Sequence, residues 1–291
     1  MNYILDAFSG AGFSAEGFKS FYNVVEAIDN NFDACNSYKL NHKDTSVKNM
    51  DIRDISFSQN DYQGILGLIA TPPCQDFSDL SHNYYNEDRA NLVFQFIRLL
   101  EEIQPEFALF ENVYSVPKII KLRLEKEIQQ LGYKTVSRVI NAWEYGCLQI
   151  RKRWIITVHK KKHIFPKKSN IRRKSKEILS NEISEIKPRK QTLDQIKDLE
   201  TGKWVNLPNQ KYKVYFVLDP EKPFPAVVNP TKLRYIHPNK KQYLSFNVLI
   251  KTFGVKSFNL TGNLSSKGQQ LANGFPSDLA YKFAKSFSEV C

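Results

Sequence analysis

Cysteine is scarce in this chain and never clustered. Cys35, Cys74, Cys147 and Cys291 stand far apart in 291 residues, and no CxxC pair occurs. Neither a disulfide framework nor a structural zinc site is expected, because no His/Cys group has metal spacing. Long apolar runs are missing too: none approaches the roughly 20 residues that a membrane span needs. The start, Met1-Asn2-Tyr3-Ile4-Leu5-Asp6, runs straight into a strand pattern and not a signal peptide. The expectation is a cytoplasmic chain with no membrane contact and no metal. Internal repeats are absent, and one basic segment is the only biased tract.

Positive charge is what the chain has in excess. Forty-two Lys and Arg against 30 Asp and Glu give a formal charge of +12, which suggests an anionic partner. Twelve Lys/Arg against three Asp/Glu lie between His159 and Lys190, a net +9. A solvated loop would look the same as a phosphate-backbone contact, unless a nucleic-acid reaction emerges elsewhere. With 42% hydrophobic residues, the composition fits one large domain, or one with a small companion.

Residues 3 to 160 alternate short apolar runs with helical patterns. Strands are expected at Tyr3–Phe8, Val24–Ile28, Val47–Asp51, Ile65–Ala70, Phe107–Glu111, Val136–Asn141 and Trp154–Val158. Helices are expected at Ser14–Phe18, Phe32–Leu40, Leu92–Ile103 and Lys118–Leu131. Such βαβ alternation predicts an α/β fold, with a doubly wound, mostly parallel sheet covered by helices on both faces.

Chemistry-bearing residues fall at the strand ends, where α/β proteins place their sites. The first strand ends in Asp6-Ala7-Phe8-Ser9-Gly10-Ala11-Gly12-Phe13, with Ser14 as a candidate helix cap; its glycines let a ligand approach the backbone. Asp29 ends the second strand and could take the two hydroxyls of a ribose. Asp51-Ile52 ends the third, where an adenine amino group could donate. Three such acids favour a nucleoside-bearing cofactor over chance surface carboxylates. After Ile65–Ala70, Pro72-Pro73 forces a turn and leaves Cys74 at a loop mouth, as a nucleophile or as a small buried apolar residue. The polar run Asp79–Arg89 lacks apolar periodicity and reads as a surface loop able to close over a site. Glu111 ends a buried strand at the same sheet edge. In Gln149-Ile150-Arg151-Lys152-Arg153, alternation points Arg151 and Arg153 to one face.

Phe8-Ser9-Gly10-Ala11-Gly12, Pro73-Cys74-Gln75, Glu111-Asn112-Val113, Gln149-Ile150-Arg151-Lys152-Arg153 and Gln270-Leu271-Ala272-Asn273-Gly274-Phe275-Pro276 together resemble the motifs of the C5-cytosine DNA methyltransferases, in order and spacing. The resemblance implies a Rossmann-like, S-adenosyl-L-methionine-dependent fold with a small target-recognition domain. Cys74 would attack cytosine C6 and Glu111 would hold the N3/N4 edge. Arg153 would donate to O2, with Arg151 bracing the loop or a phosphate. The methyl group passes to C5 of a flipped-out base. Cofactor contacts carried over are Phe8, Gly10, Gly12, Asp29, Asn30, Asp51, Ile52, Pro73, Leu92 and Asn273. DNA contacts are Gln75, Ser78, Ser81 and Arg89 in the closing loop, and Lys211, Tyr212 and Lys213 beyond it.

The implied partner is duplex DNA, with a cognate restriction endonuclease acting on the same site without a stable complex, and the enzyme itself a monomer. A tRNA cytosine methyltransferase and a catalytically silent DNA-binding relative are the alternatives. The chain departs from the family at Asn30, where a bulky apolar residue is usual, and at Ala226, where Thr is usual. The expected division is a catalytic domain at 1–160, a basic recognition domain at 161–254, and a segment at 255–291 returning to the first. Within the recognition region, Trp204 and Tyr215 could face a groove or form the domain's own core.

Overall fold

The computed structural model describes residues 2–57, 62, 64–73, 87–179, 184, 186–206 and 214–291, with side chains left aside at 87–91. A seven-stranded sheet organises it. Its strands are β1 (Tyr3–Ala7), β2 (Asn23–Asp29), β3 (Ser46–Asn49), β4 (Ile65–Ala70), β5 (Phe107–Val113), β6 (Lys134–Asn141) and β8 (Lys152–His159), in the order β3-β2-β1-β4-β5-β8-β6. The short β7 (Gln149–Ile150) lies outside this sheet. Neighbours from β3 to β5 are parallel, and β8 runs antiparallel to both β5 and β6. The central strands are apolar nearly throughout, as strands buried on both faces must be.

Helices cover both faces. On one, α3 (Glu87–Ile103) and α4 (Lys118–Gln130) present Val93, Phe96, Leu99, Leu100 and Ile120, Leu124, Ile128 at helical spacing, packing on Leu68, Phe110 and Trp154. On the other, α1 (Phe13–Phe18) and α8 (Ser277–Ser288), which follows α5 (Lys190–Ile196), α6 (Phe246–Lys251) and α7 (Leu264–Asn273) in the chain, bring Ala15, Phe18, Leu279, Phe283 and Phe287 onto Ile4, Ile69 and Phe107. The helix α2 (Phe32–Asn41) adds Tyr38 to this core. The helices α1 and α8 approach so closely at Gly17 that any side chain there would meet the Ser277 carbonyl and Ala280.

Beyond residue 160, β9 (Trp204–Asn206), β10 (Val214–Val217) and β12 (Leu233–Ile236) form a three-stranded sheet, while β11 (Phe224–Pro225) pairs with β7. Their core is shared with the first turn of the chain: Ala11 and Phe13 cluster with Phe216, Phe224, Val227, Phe253 and Leu271. Phe13 stacks on Phe253 and Phe258 at centroid distances of 4.7 and 4.2 Å. A smaller core holds Ile196, Tyr215, Val217, Ile236 and Tyr243. Tyr215 is thus core, whereas Trp204 is half exposed with its ring 4.4 Å from Phe216.

Two local expectations need correction. Ser14 does not cap α1; Gly12 does, at φ +93°, and Ser14 sits inside the helix with its hydroxyl donating to Asp6. A side-chain cap there would have cost the turn its left-handed residue. The run 79–89 is not loop to its end, because α3 begins at Glu87, five residues before Leu92. Glu87 and Asp88 favour a helix start by charge while offering no apolar periodicity. No helix among the described residues is long and apolar enough to cross a membrane.

Candidate active site

Three strand ends carry one half of the site. After β1 the chain turns through Phe8 (φ +56°) and Gly10 (φ +53°) into α1. Phe8 adopts the left-handed region that costs a side-chain-bearing residue strain, and such strain collects at functional sites. The Phe8 carbonyl accepts from the Thr71 hydroxyl at 2.9 Å, which ties the turn to the chain leaving β4. At Gly12 a Cβ would stand 2.7 Å from His42 Nε2 and 2.8 Å from the Tyr38 ring, so only glycine fits.

Asp29, at the end of β2, accepts from the backbone N–H groups of Gly10 and Asn31, each at 2.8 Å. Burial still pushes its pKa up, with those two donors opposing. Beneath the turn, Asp6 is fully buried and accepts from Ser14 and Tyr38 through one oxygen. Its other oxygen has no partner among the described residues, and burial holds its pKa well above the carboxylate range. Asp51 binds the Arg53 guanidinium through both oxygens, at 2.9 and 2.7 Å, which lowers its pKa. Ile52 is buried, and its carbonyl accepts from Arg98 of α3 at 2.6 Å.

These residues suit a nucleoside-bearing cofactor. No described residue lies within 4 Å of where a Cβ at Gly10 would stand, so among the described residues the outer face of the turn is open beside the fixed Asp29 carboxylate. Leu92 is half buried against the neighbouring core, while Pro73, Asn30 and Asn273 are exposed. Asn273 accepts from Gln269 at 2.8 Å.

The other half stands at the ends of β5 and β8. Glu111 is 6% exposed and pairs with Arg153, Oε1 to Nε, at 2.7 Å. The register makes the pair possible, setting Val113 opposite Arg153 on antiparallel strands. Burial raises the Glu111 pKa, while Arg153 and then Arg151 pull it down. A carboxyl so placed can hold a proton at higher pH than an exposed one and deliver it to a ring nitrogen.

The neighbouring Asn112, 2% exposed, donates from Nδ2 to the Pro72 carbonyl at 3.3 Å. That bond fixes the chain two residues ahead of Cys74 beside Glu111. Cys74 itself, with Gln75, Ser78 and Ser81, lies outside the described residues, as do Lys211, Tyr212 and Lys213; for Arg89 only the backbone is described.

Arg151 and Arg153 part company. Arg151 falls between β7 and β8 and is 1% exposed. It donates to the carbonyls of Val227 at 3.0 Å and Ala272 at 2.6 Å, and its guanidinium lies over the Phe253 ring. That burial turns it away from any phosphate at the surface and makes it a brace between the small sheet and the C-terminal segment. Gln149 does similar work, donating to Thr252 and accepting from the Val227 N–H.

Sequence reasoning gave no role to Asn112, Gln149 or Tyr38. The first two lie inside quoted motifs, where an uncharged amide beside charged residues is easily passed over. Nothing in the pattern pointed to Tyr38.

The family model for C-5 cytosine-specific DNA methylases matches residues 3–252. Among curated relatives, the type II methyltransferase M.DdeI of Desulfomicrobium norvegicum is 34% identical over 164 residues, covering 52% of this chain and 39% of the relative. M.FnuDI of Fusobacterium nucleatum is 34% identical over 52% of this chain and 44% of its own. The chain therefore spans about two fifths of the length of these two. M.HgiDI of Herpetosiphon aurantiacus is 27% identical over 97% of this chain and 93% of its own.

Among solved structures, a prophage-encoded E. coli protein assigned as a DNA modification methyltransferase superposes with a TM-score of 0.81. The two share 18% identity over 100% of this chain and 99% of that one. S. pombe Dnmt2 methyltransferase follows at 0.74 and 14%, over 99% and 98%. At such identities these two likenesses speak for the fold.

Proposed function

The chain belongs to the C-5 cytosine-specific DNA methylase family, and on that footing we propose that it methylates C5 of a flipped-out cytosine in a specific duplex DNA sequence. The observation that carries the proposal is the buried Glu111–Arg153 pair beside the fixed Pro72.

Cys74 is the nucleophile in this reading. Its thiolate adds to cytosine C6 and makes C5 electron-rich. Glu111, with its raised pKa, protonates or hydrogen-bonds the base at N3 and holds the exocyclic amine. Arg153 orients Glu111 and donates to the base O2. S-adenosyl-L-methionine, when bound, would supply the methyl group; loss of the C5 proton then breaks the Cys74–C6 bond, frees the thiolate and restores the ring. Phe8, Gly10 and Gly12 would hold it at the turn, Asp29 at the ribose and Asp51 at the adenine amine, with Ile52, Leu92, Pro73, Asn30 and Asn273 around it. Gln75, Ser78 and Ser81, with Arg89 in the first turn of α3, would contact the target strand. Within the region 161–254, Lys211, Tyr212 and Lys213 read the flanking sequence. The relatives named as type II methyltransferases support a restriction-modification setting. A cognate endonuclease acting separately on the same site and a monomeric enzyme complete the proposal.

Transfer of a tritiated methyl group is the test, with duplex DNA and tRNA as parallel substrates. Counts in DNA, and a covalent complex with a 5-fluorocytosine duplex that Cys74→Ala fails to form, are expected. Transfer to tRNA alone, or an adduct that survives Cys74→Ala, would overturn the reading.

A further inference from the structure

The basic tract 159–190 does not act as one unit. Part of it is spent inside the protein: Arg173 pairs with Glu177 and Asp278, and Lys174 and Lys176 share Glu221. The earlier part is different. Lys160, Lys161 and Lys162 are exposed, and none forms an ion pair with a described residue, although Lys162 Nζ donates to the Val290 carbonyl at 3.4 Å. The edge strand β6 adds Lys134, exposed at its start.

These groups share one corner of the molecule. Lys134 stands opposite His159 in the sheet register. The ring of His163 lies 2.9 Å from the Thr135 carbonyl. Of the carboxylates nearby, Glu289 pairs with Lys285 at 3.9 Å; Glu106 lies 3.8 Å from His159, whose imidazole burial holds towards the neutral form, and Glu101 lines the same pocket as Lys160, so the lysines here outnumber the carboxylates without being free of them.

The corner is also in the wrong place to serve the active site. β5 sets Phe107 opposite His159 and Glu111 opposite Ile155. Four residues of strand, about 13 Å, separate the two levels. The corner lies at the amino ends of the parallel strands, whereas Gly10, Pro72 and Glu111 lie at the carboxyl ends.

We propose that this corner binds the phosphate backbone of a second stretch of duplex DNA, outside the segment that carries the target cytosine. The inference rests on the reading that the chain acts on DNA, since a substrate that is itself a long polyanion brings further phosphates within reach. Unpaired, exposed ammonium groups gain from phosphate through counterion release, with no need of base contacts.

The test replaces Lys134, Lys160, Lys161 and Lys162 together by alanine. On a duplex of about 200 base pairs, the slope of log affinity against log salt should flatten by roughly 4. Turnover on a duplex of about 14 base pairs should stay within about twofold, while KM on the long duplex rises about tenfold at unchanged kcat. The same four positions changed to arginine should restore both readings. Rescue confined to the long substrate assigns the phosphates to flanking DNA of the same molecule. Stimulation of the short duplex by added site-free duplex assigns them to a separate one.

An unchanged slope overturns the proposal. So does an equal loss on the short duplex, which would put these lysines at the target, and so does tighter competition by tRNA than by duplex DNA. If the four-site variant fails to fold, Lys160→Ala/Lys161→Ala should still flatten the slope by about 2. Should the wild type methylate no DNA at all, the proposed function fails, yet the salt slopes still decide the corner.

Discussion

The two halves of the sheet's carboxyl edge are built from different materials. On the β1–β3 side the work is done by main chain. Asp29 is held by two backbone N–H groups, the turn runs through positive φ, and Gly12 is wedged against His42 and Tyr38. On the β5–β8 side it is done by side chains. Glu111 meets Arg153, Asn112 meets Pro72, and Arg151 meets two carbonyls. A path set by main chain tolerates only residues that can follow it, so its failures should be failures of folding and cofactor binding. A site set by side chains in a dry setting can lose its chemistry and keep its fold.

Substitutions can break that contrast or sharpen it. Glu111→Gln keeps shape and burial, and kcat should fall by about 10²- to 10⁴-fold with the melting temperature barely moved. Steady-state kinetics beside a thermal melt would check this, and a collapse in stability would erase the contrast. Gly12→Ala should instead destabilise by about 2–4 kcal/mol in urea unfolding and weaken S-adenosyl-L-methionine binding. Normal stability with lost turnover would contradict the main-chain account.

Arg151→Ala leaves two carbonyls without their donor, for a loss of about 2–3 kcal/mol in urea unfolding. It should thus resemble Gly12→Ala more than its motif neighbour Arg153. Asn112→Ala should slow adduct formation on a 5-fluorocytosine duplex about tenfold without changing cofactor affinity in calorimetry.

The smallest effect is a slope. Asp6 keeps its proton to higher pH when folded than the roughly 3.9 of an unfolded Asp. Across that window the native state binds more protons, so stability falls as pH rises, by at most about 1.4 kcal/mol per pH unit. Asp6→Asn should remove that slope from a pH series of unfolding curves.

Sequence pattern carried the catalytic half of the fold further than the rest, and the reason is periodicity. β4 was legible to the residue, because an apolar run bounded by Pro72 leaves no choice. β7 and β11, two residues each, carry no period at all, and the small three-stranded sheet was hidden among basic residues. In the site, charged residues at strand ends were legible by position. What Arg151 does was not, since alternation assumes a continuous strand and the chain breaks between β7 and β8 at that residue. The tie from Asn112 to Pro72 joins parts 40 residues apart and leaves no local mark.

The contact between α1 and α8 also has a consequence in time. The Ser277 hydroxyl donates to the Phe13 carbonyl at 2.7 Å across 264 residues, and α8 buries Phe283 and Phe287 on the same core as Phe18. Until that partner has been synthesised, the turn after β1 has an open flank. At roughly 5–20 residues per second, the interval is about 13–53 seconds. During it, apolar faces of α1 and of the central strands stand uncovered on the nascent chain. The ribosome, through its pace, thus sets how long the first motif waits for the last. Slowing translation near the 3′ end of the message should lower the yield of folded protein while leaving its final stability untouched.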